Sequence, residues 1–448
     1  MRWERLQHRL QAATPGSAAA ALAHRPFLLV WGGGFASNVG TWMQNVALGV
    51  FAYQVSHSAS FVALLGFAQM GPLLALAMVG GALGDAVDRK VLLIACQVEQ
   101  MVMSVVLAWV AASPHPSRAL LVGCVLAIGI GNALNAPTLT AVMPLLVGRR
   151  DLPGAVSLQS VQMNLSRVVG PAVGGLALPA IGASGIFAVN AVTYLFAVVT
   201  IALVAIPPAD RGHGEAALTR LLGGVAVARR DPVVRRCLLT IAAISFFCLP
   251  FIGLMPVLAA HDLHVSPSNI TYGLLYATFG LGAAIGAVSV GTVMVGWSRP
   301  HIVRAGLAAF AAALVVFGLV RSPAAAFPAV LLVGVSYFAT VTALSTLLQS
   351  TIADRVRGRV MALWLMGFGG TVPLGLLAGG AVTGVTSIGT VVVGGGVVAA
   401  VLSAAWWRAT ALNGRRARAG TPLVGAGQRS DAVSAPAMVA VPMTSQTT

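Results

Sequence analysis

Gly81-Ala82-Leu83-Gly84-Asp85-Ala86-Val87-Asp88-Arg89-Lys90 is a short charged loop between two long apolar runs. Its surroundings decide the fold. A helix that crosses a bilayer needs roughly 20 apolar residues. Working outward from the loop, twelve such runs can be read. They lie at about 26–54, 60–83, 91–112, 119–147, 153–178 and 183–207, then at 236–260, 270–295, 301–320, 323–352, 361–383 and 386–407. So many spans leave little chain for a soluble catalytic domain. The expected fold is all-α and membrane-embedded, with twelve transmembrane helices in two six-helix bundles related by pseudo-two-fold symmetry.

Composition agrees. Hydrophobic residues make up 58% of the chain and charged residues 8%, against roughly 25% charged in soluble domains. A net charge of +16 would raise nucleic acid as a partner in a soluble protein. The placement of the charges excludes that reading. Of the 27 basic residues, only Arg118 and Arg321 fall on the opposite side and only Arg167 lies deep within a span. Such one-sidedness follows the positive-inside rule and predicts both termini in the cytoplasm, with the chain in the inner (plasma) membrane. Cys96, Cys124, Cys237 and Cys248 all lie in spans, which predicts buried thiols rather than a disulfide or metal framework. No cofactor is expected.

The polar segments divide the chain. Residues 1–25 carry Trp3, Leu6 and Leu10 beside Arg2, Arg5 and Arg9, the pattern of a cytoplasmic amphipathic segment on the membrane surface. An N-terminal bundle at 26–207 is joined to a C-terminal bundle at 236–407 by a cytoplasmic linker at 208–235, in which 224–236 can form a short surface helix. The tail 408–448 is rich in small and polar residues and is expected to be disordered. The halves carry a weak repeat. Arg150-Asp151-Leu152-Pro153-Gly154 leads into the fifth span, much as Asp354-Arg355-Val356-Arg357-Gly358-Arg359 leads into the eleventh. The fifth span holds Gly170-Pro171-Ala172-Val173-Gly174-Gly175, and the eleventh holds Gly369-Gly370-Thr371-Val372-Pro373-Leu374-Gly375. Internal symmetry of this kind marks transporters whose site lies between two repeats.

These residues resemble the major facilitator superfamily. Gly81, Leu83, Asp85, Arg89 and Lys90 fit its G-x-L-x-D-R-x-G-R-[KR] loop, with Ala86 for an arginine and Asp88 for a glycine. Gly170, Pro171, Gly174 and Gly175 fit the antiporter pattern G-x-x-x-G-P-x-x-G-G, with Ser166 at its first position. Ser37-Asn38-Val39-Gly40-Thr41-Trp42-Met43-Gln44, Asn135-Ala136-Pro137, Asn164-Leu165-Ser166-Arg167 and Arg357-Gly358-Arg359-Val360 resemble the enterobactin-exporter and macrolide-efflux type of drug:proton antiporter. The resemblance spans about residues 25–407. It implies that Gly81, Asp85, Arg89, Lys90, Arg357 and Arg359 form a cytoplasmic gate, closed when Asp85 meets the positive end of the eleventh helix. The alternative is a set of ordinary positive-inside anchors.

The antiporter residues thin the fifth helix, so they serve either as a seal between bundles or as plain packing. Glu99 and Arg167 are charges at membrane depth, where each is costly and a functional candidate. They are candidates for proton coupling, against a static ion pair or Glu99 facing a polar groove, and the sequence leaves open whether the two meet. Asn38, Thr41 and Asn45 share one helical face. With Asn132, Asn135, Gln162 and Asn190 they are candidates to line a substrate cavity, or else to join helices by hydrogen bonds. Phe247, Phe251 and Trp364 are the aromatic candidates, against a role in packing. His261, Asp262 and His264 read as an external loop in preference to a metal site.

The expected function is secondary active transport without covalent chemistry. The reading is proton-coupled efflux of small amphipathic compounds (drugs, siderophores or secreted metabolites) by alternating access, acting as a monomer. An importer, a lysophospholipid flippase or a non-transporting receptor are the alternatives. The partners are a small-molecule substrate, protons and the lipid bilayer. An ATP-driven pump is disfavoured by the lack of a G-x-x-x-x-G-K-[ST] loop.

Overall fold

A computed structural model describes residues 14–207, 217–266 and 269–418. Trp3, Leu6 and Leu10 fall outside the described residues, as does most of the 408–448 tail. The side chains of Gly81 and Asp85 also lie outside those described. Every regular element among the described residues is helical. In chain order these are α1 (Ala18–Ala23), α2 (Arg25–Ser56), α3 (Ala59–Ala86), α4 (Arg89–Ala112), α5 (Arg118–Ala202), α6 (Ala217–Arg230) and α7 (Pro232–Ala243), followed by α8 (Pro250–Gly253), α9 (Met255–His261), α10 (Ile270–Gly291), α11 (Arg299–Leu319), α12 (Pro323–Thr351), α13 (Asp354–Leu365), α14 (Thr371–Val382) and α15 (Ile388–Arg418). Among the described residues eight helical stretches, with α5 counted once and the π-helical segments bridged, are long and apolar enough to cross a membrane.

The 85 residues of α5 are not one rod. Gly148 (φ 71°, ψ 167°) and Gly182 (φ 65°, ψ −179°) leave helical geometry inside it. Both adopt a positive φ that a side chain would strain, and both fall where a loop between spans is expected. Pro171 lies within the continuous helix between them, so the proline does not break it. The true interruptions of regular helix are elsewhere. Ile244–Cys248 and Met366–Gly370 are π-helical, and they divide the seventh and eleventh spans. The two divided spans touch one another: Thr371 Oγ1 donates to Ala242 O at 3.2 Å.

Caps explain several boundaries. Asp88 accepts from the backbone N–H groups of Lys90 (2.8 Å) and Val91 (3.1 Å), so it caps α4. That gives a physical reason for an aspartate where the resembling motif has glycine. Asp231 caps α7 in the same way through Val233 and Val234. The seventh span therefore begins at Pro232. Ahead of it α6 covers 217–230 and packs on α13, with the Arg359 side chain against Gly223 and its carbonyl against Gly224. At the C-terminal end α15 continues past 407 to Arg418.

Large apolar side chains face outward along the helices, among them Leu176 (57% exposed), Phe196 (57%), Val288 (62%) and Leu332 (58%). Such a surface is stable only against hydrocarbon. Polar side chains turn inward instead. Gln44 Oε1 accepts from Asn190 Nδ2 (2.8 Å) and from Ser104 Oγ (3.0 Å), which ties α2, α4 and the last segment of α5 together.

Candidate functional site

A cavity of about 640 Å³ lies between helices from the first and second halves of the chain. The first half supplies one amide-rich wall. Asn38, Thr41 and Asn45 come from a single face of α2, and Gln69 from α3 donates to Asn45 Oδ1 at 2.6 Å. Asn132 and Asn135 add to this wall from the first segment of α5, and Gln159 and Gln162 from the second. Gln162 Nε2 donates to Trp31 O at 3.2 Å, which holds that amide against the wall. The second half supplies Leu249, Ile252, Tyr276, Phe279, Tyr337, Phe338, Phe368 and Leu376. A wall of amides facing a wall of aromatics and aliphatics suits a ligand with one polar and one apolar side.

One end of the cavity is shut. Gly175 on α5 and Gly273 on α10 meet backbone to backbone, and a side chain on either would collide with the other. Ser60 Oγ donates to Gly380 O at 3.0 Å, and Tyr53 Oη and His261 Nε2 are 2.8 Å apart. All three contacts join the first half to the second, at the end opposite the arginine-rich loops. Toward the basic face the lining continues through Trp31, Val30 and Phe27, and through Leu139, Met143 and Leu146. In the chain Phe27 follows Arg25 by two residues, and Leu146 precedes Arg149 by three.

The antiporter-motif residues serve this architecture and do not line the cavity. A methyl group on Gly170 would stand 2.8 Å from Val39 O, and one on Gly174 would stand 3.1 Å from Met43 Cα. Both glycines therefore bring α5 onto α2, and Gly175 brings it onto α10. Pro171 is buried beside them.

The two charges at membrane depth do not meet. Glu99 has both carboxylate oxygens enclosed without a hydrogen-bond partner, close to Gly131. Arg167 lines the cavity and lies between two rings, 5.8 Å from the Trp42 centroid and 5.2 Å from that of Phe338. A paired arrangement, either for coupling or as a static bridge, is absent among the described residues.

The remaining expected residues are dispersed. Asn190 is 1% exposed and belongs to the Gln44 knot. Phe247 is 50% exposed on the outer surface. Phe251 is buried edge-on between Phe279 (5.8 Å) and Phe317 (5.7 Å), and Trp364 is buried in the core. None of these four lines the cavity. Of the basic loop residues, Lys90 Nζ donates to Ala202 O at 2.7 Å and so satisfies a helix-end carbonyl. Arg89 and Arg359 are half-buried and Arg357 is exposed. Reading the sequence overlooked Trp31, Gln69, Tyr276, Tyr337 and Phe338. Only spatial proximity selects those rings from many others, although Trp42 falls inside the quoted Ser37–Gln44 motif.

A family profile, described as transmembrane secretion effector, matches residues 16–421. The chain belongs to the transmembrane secretion effector family. It is a multi-pass membrane protein of the major facilitator transporter type. It is similar to the enterobactin exporter EntS of Escherichia coli O1:K1 / APEC, at 29% identity over 76% of this chain and 81% of that protein. EntS of Citrobacter koseri is 28% identical over the same shares. In fold the chain resembles a bacterial homolog of the human lysosomal transporter Spinster, solved inward-facing and unoccupied. That match has a TM-score of 0.65 and 16% identity, over 86% of this chain and 97% of the other. The nucleoside transporter NupG matches with a TM-score of 0.68 and 12% identity, over 86% and 98% of the two chains.

Proposed function

We propose that the protein is a secondary active exporter of small amphipathic compounds, working by alternating access and driven by protons. The observation that carries this reading is a cavity built by both halves of the chain, with the halves in contact at the end away from the basic loops. Division of α5 at Gly148 and Gly182 supports twelve spans in two six-helix bundles, 26–207 and 236–407. The one-sided arginines support cytoplasmic termini in the inner membrane, so the sealed face is external and the cavity faces inward. Rocking the bundles about the cavity would break the Gly175–Gly273 contact and close the basic face through the 81–90 loop.

Export is favoured by the Gly170-Pro171 pattern and by the similarity to proteins named as enterobactin exporters. A siderophore or secreted metabolite fits the amide-and-aromatic lining as well as a drug does. Glu99 is the coupling group in this scheme, because an enclosed carboxylate without a partner is able to exchange a proton as its surroundings change. No covalent step and no cofactor is involved, and a monomer suffices.

The test uses inverted membrane vesicles containing the protein, with an imposed proton gradient and a panel of dyes, antibiotics and siderophores. Accumulation that collapses when the gradient is discharged supports proton-coupled export. Correctly inserted protein that accumulates only in right-side-out vesicles, or that accumulates regardless of the gradient, overturns it.

A further inference from the structure

We infer that the cavity selects organic anions, with Arg167 binding the acidic head and the aromatic wall holding the apolar body. This inference rests on the transport reading and names its substrate class.

Arg167 is the only formally charged side chain among the described residues that line the cavity. A guanidinium keeps its charge under all physiological conditions. Enclosing one at membrane depth is expensive unless an opposite charge accompanies it. Among the described residues none accompanies it. Glu99 is the sole acidic residue within the apolar runs, and it neither lines the cavity nor pairs with Arg167. What Arg167 does have is two ring faces, Trp42 from the first half and Phe338 from the second. Stacking of this kind orients a guanidinium and compensates only part of its lost hydration. Among the described residues no acceptor meets its hydrogen-bond donors, which leaves them for a ligand.

A second donor lies in the same cavity. Tyr337 is 1% exposed, and its hydroxyl lies beside that of Ser245, neither reaching full hydrogen-bond geometry with a partner among the described residues. A carboxylate, sulfonate or phenolate head would accept from both groups, and a bidentate contact with arginine is the strongest of such bonds. A cationic amphiphile would instead face like charge with no lining carboxylate to offset it. Trp42 and Phe338 belong to opposite halves, so an anion held by Arg167 sits at the junction that must move during transport.

The test takes three fluorescent dansyl compounds that share one body and differ in the head: a carboxylate, its primary amide and a primary amine. Binding to the full chain in vesicles is read by energy transfer from tryptophan, since Trp31 and Trp42 both line the cavity. The wild type is expected to bind the carboxylate at least about tenfold more tightly than the amide, with the amine weakest. Arg167→Gln should abolish the preference, and Arg167→Lys should keep part of it. An amine or amide bound as tightly as the carboxylate overturns the inference. So does a preference that survives in Arg167→Gln. Flux through the same vesicles separates the two readings. Arginine-dependent anion binding without uptake refutes export and leaves the anion site standing. Uptake without charge preference does the reverse. Arg167→Lys guards against a glutamine variant that fails to fold.

Discussion

Gly175→Ala should unseal the external face. The added Cβ falls well inside van der Waals contact with Gly273 Cα, and it also comes 3.0 Å from Gly273 C and 3.1 Å from Gly273 N. These are backbone atoms of a second helix, so no rotamer change can relieve the overlap. Ordinary contact begins at 3.4 Å, so α5 and α10 must part or bend. Overpacking of this kind costs about 1–3 kcal/mol. The cost is specific to the sealed state and therefore shifts the equilibrium toward the other conformation by roughly 5- to 150-fold. Alanine's better helix propensity, about 1 kcal/mol, acts on both states and cancels. The assay is a spin-label distance between cysteines introduced at Ile181, beside the Gly182 break in α5, and Ile270, at the start of α10, both exposed near the seal, with the four native cysteines replaced. The expected result is a longer-distance population that grows in Gly175→Ala. Gly123→Ala is the control, because a Cβ there meets nothing within 4 Å. A distance distribution in Gly175→Ala identical to that of wild type, in folded protein, would refute the claim that this contact holds the seal.

Other perturbations probe separate links of the argument. Gln44→Ala removes the acceptor shared by Asn190 and Ser104 and leaves two buried donors unmatched. The variant should lose roughly 1–3 kcal/mol, read as a lower melting midpoint in detergent; an unchanged midpoint would mean the knot is not structural. Asp151 accepts from Gly16 N at 2.9 Å and lies 2.9 Å from His24 Nε2, and these contacts hold its carboxyl below the usual carboxylate range. The stabilisation is full above the ordinary carboxylate pKa and is lost as pH falls through the lowered folded value. Hydrogen exchange at residues 16–24 should accelerate over that interval and already be fast in Asp151→Asn at neutral pH. Glu99→Gln should leave substrate binding intact while transport loses its dependence on the pH gradient; transport that keeps that dependence would place the proton site elsewhere.

Several features were legible from local chemistry. Long apolar runs announce helices in lipid because backbone groups find no partner there except one another. Asn38, Thr41 and Asn45 could be placed on one face by the helical repeat, and that face lines the cavity. Gln44 illustrates the limit. It sits between Thr41 and Asn45 in a polar cluster, yet it turns into the helix interior and is 1% exposed. A small rotation about the helix axis separates a cavity residue from a structural one, and neighbouring helices set that rotation. Phe247 and Phe251 fail for the same reason. They are four residues apart, but Phe247 lies in a π-helical segment that ends before Phe251, and one faces outward while the other is buried.

By itself, the sequence determined membrane residence, helical class and the one-sided charge pattern, because each depends on composition along a single segment. The Gly148 and Gly182 breaks fell where loops were read, since a helix must end near the bilayer surface. The tertiary structure alone decided that Glu99 and Arg167 stand apart, that Arg167 is held by Trp42 and Phe338, and that Gly175 meets Gly273 to shut one end. Those facts are distances between residues remote in the chain. No local periodicity encodes them, because they arise from how bundled helices rotate and slide until small residues touch and polar ones find partners.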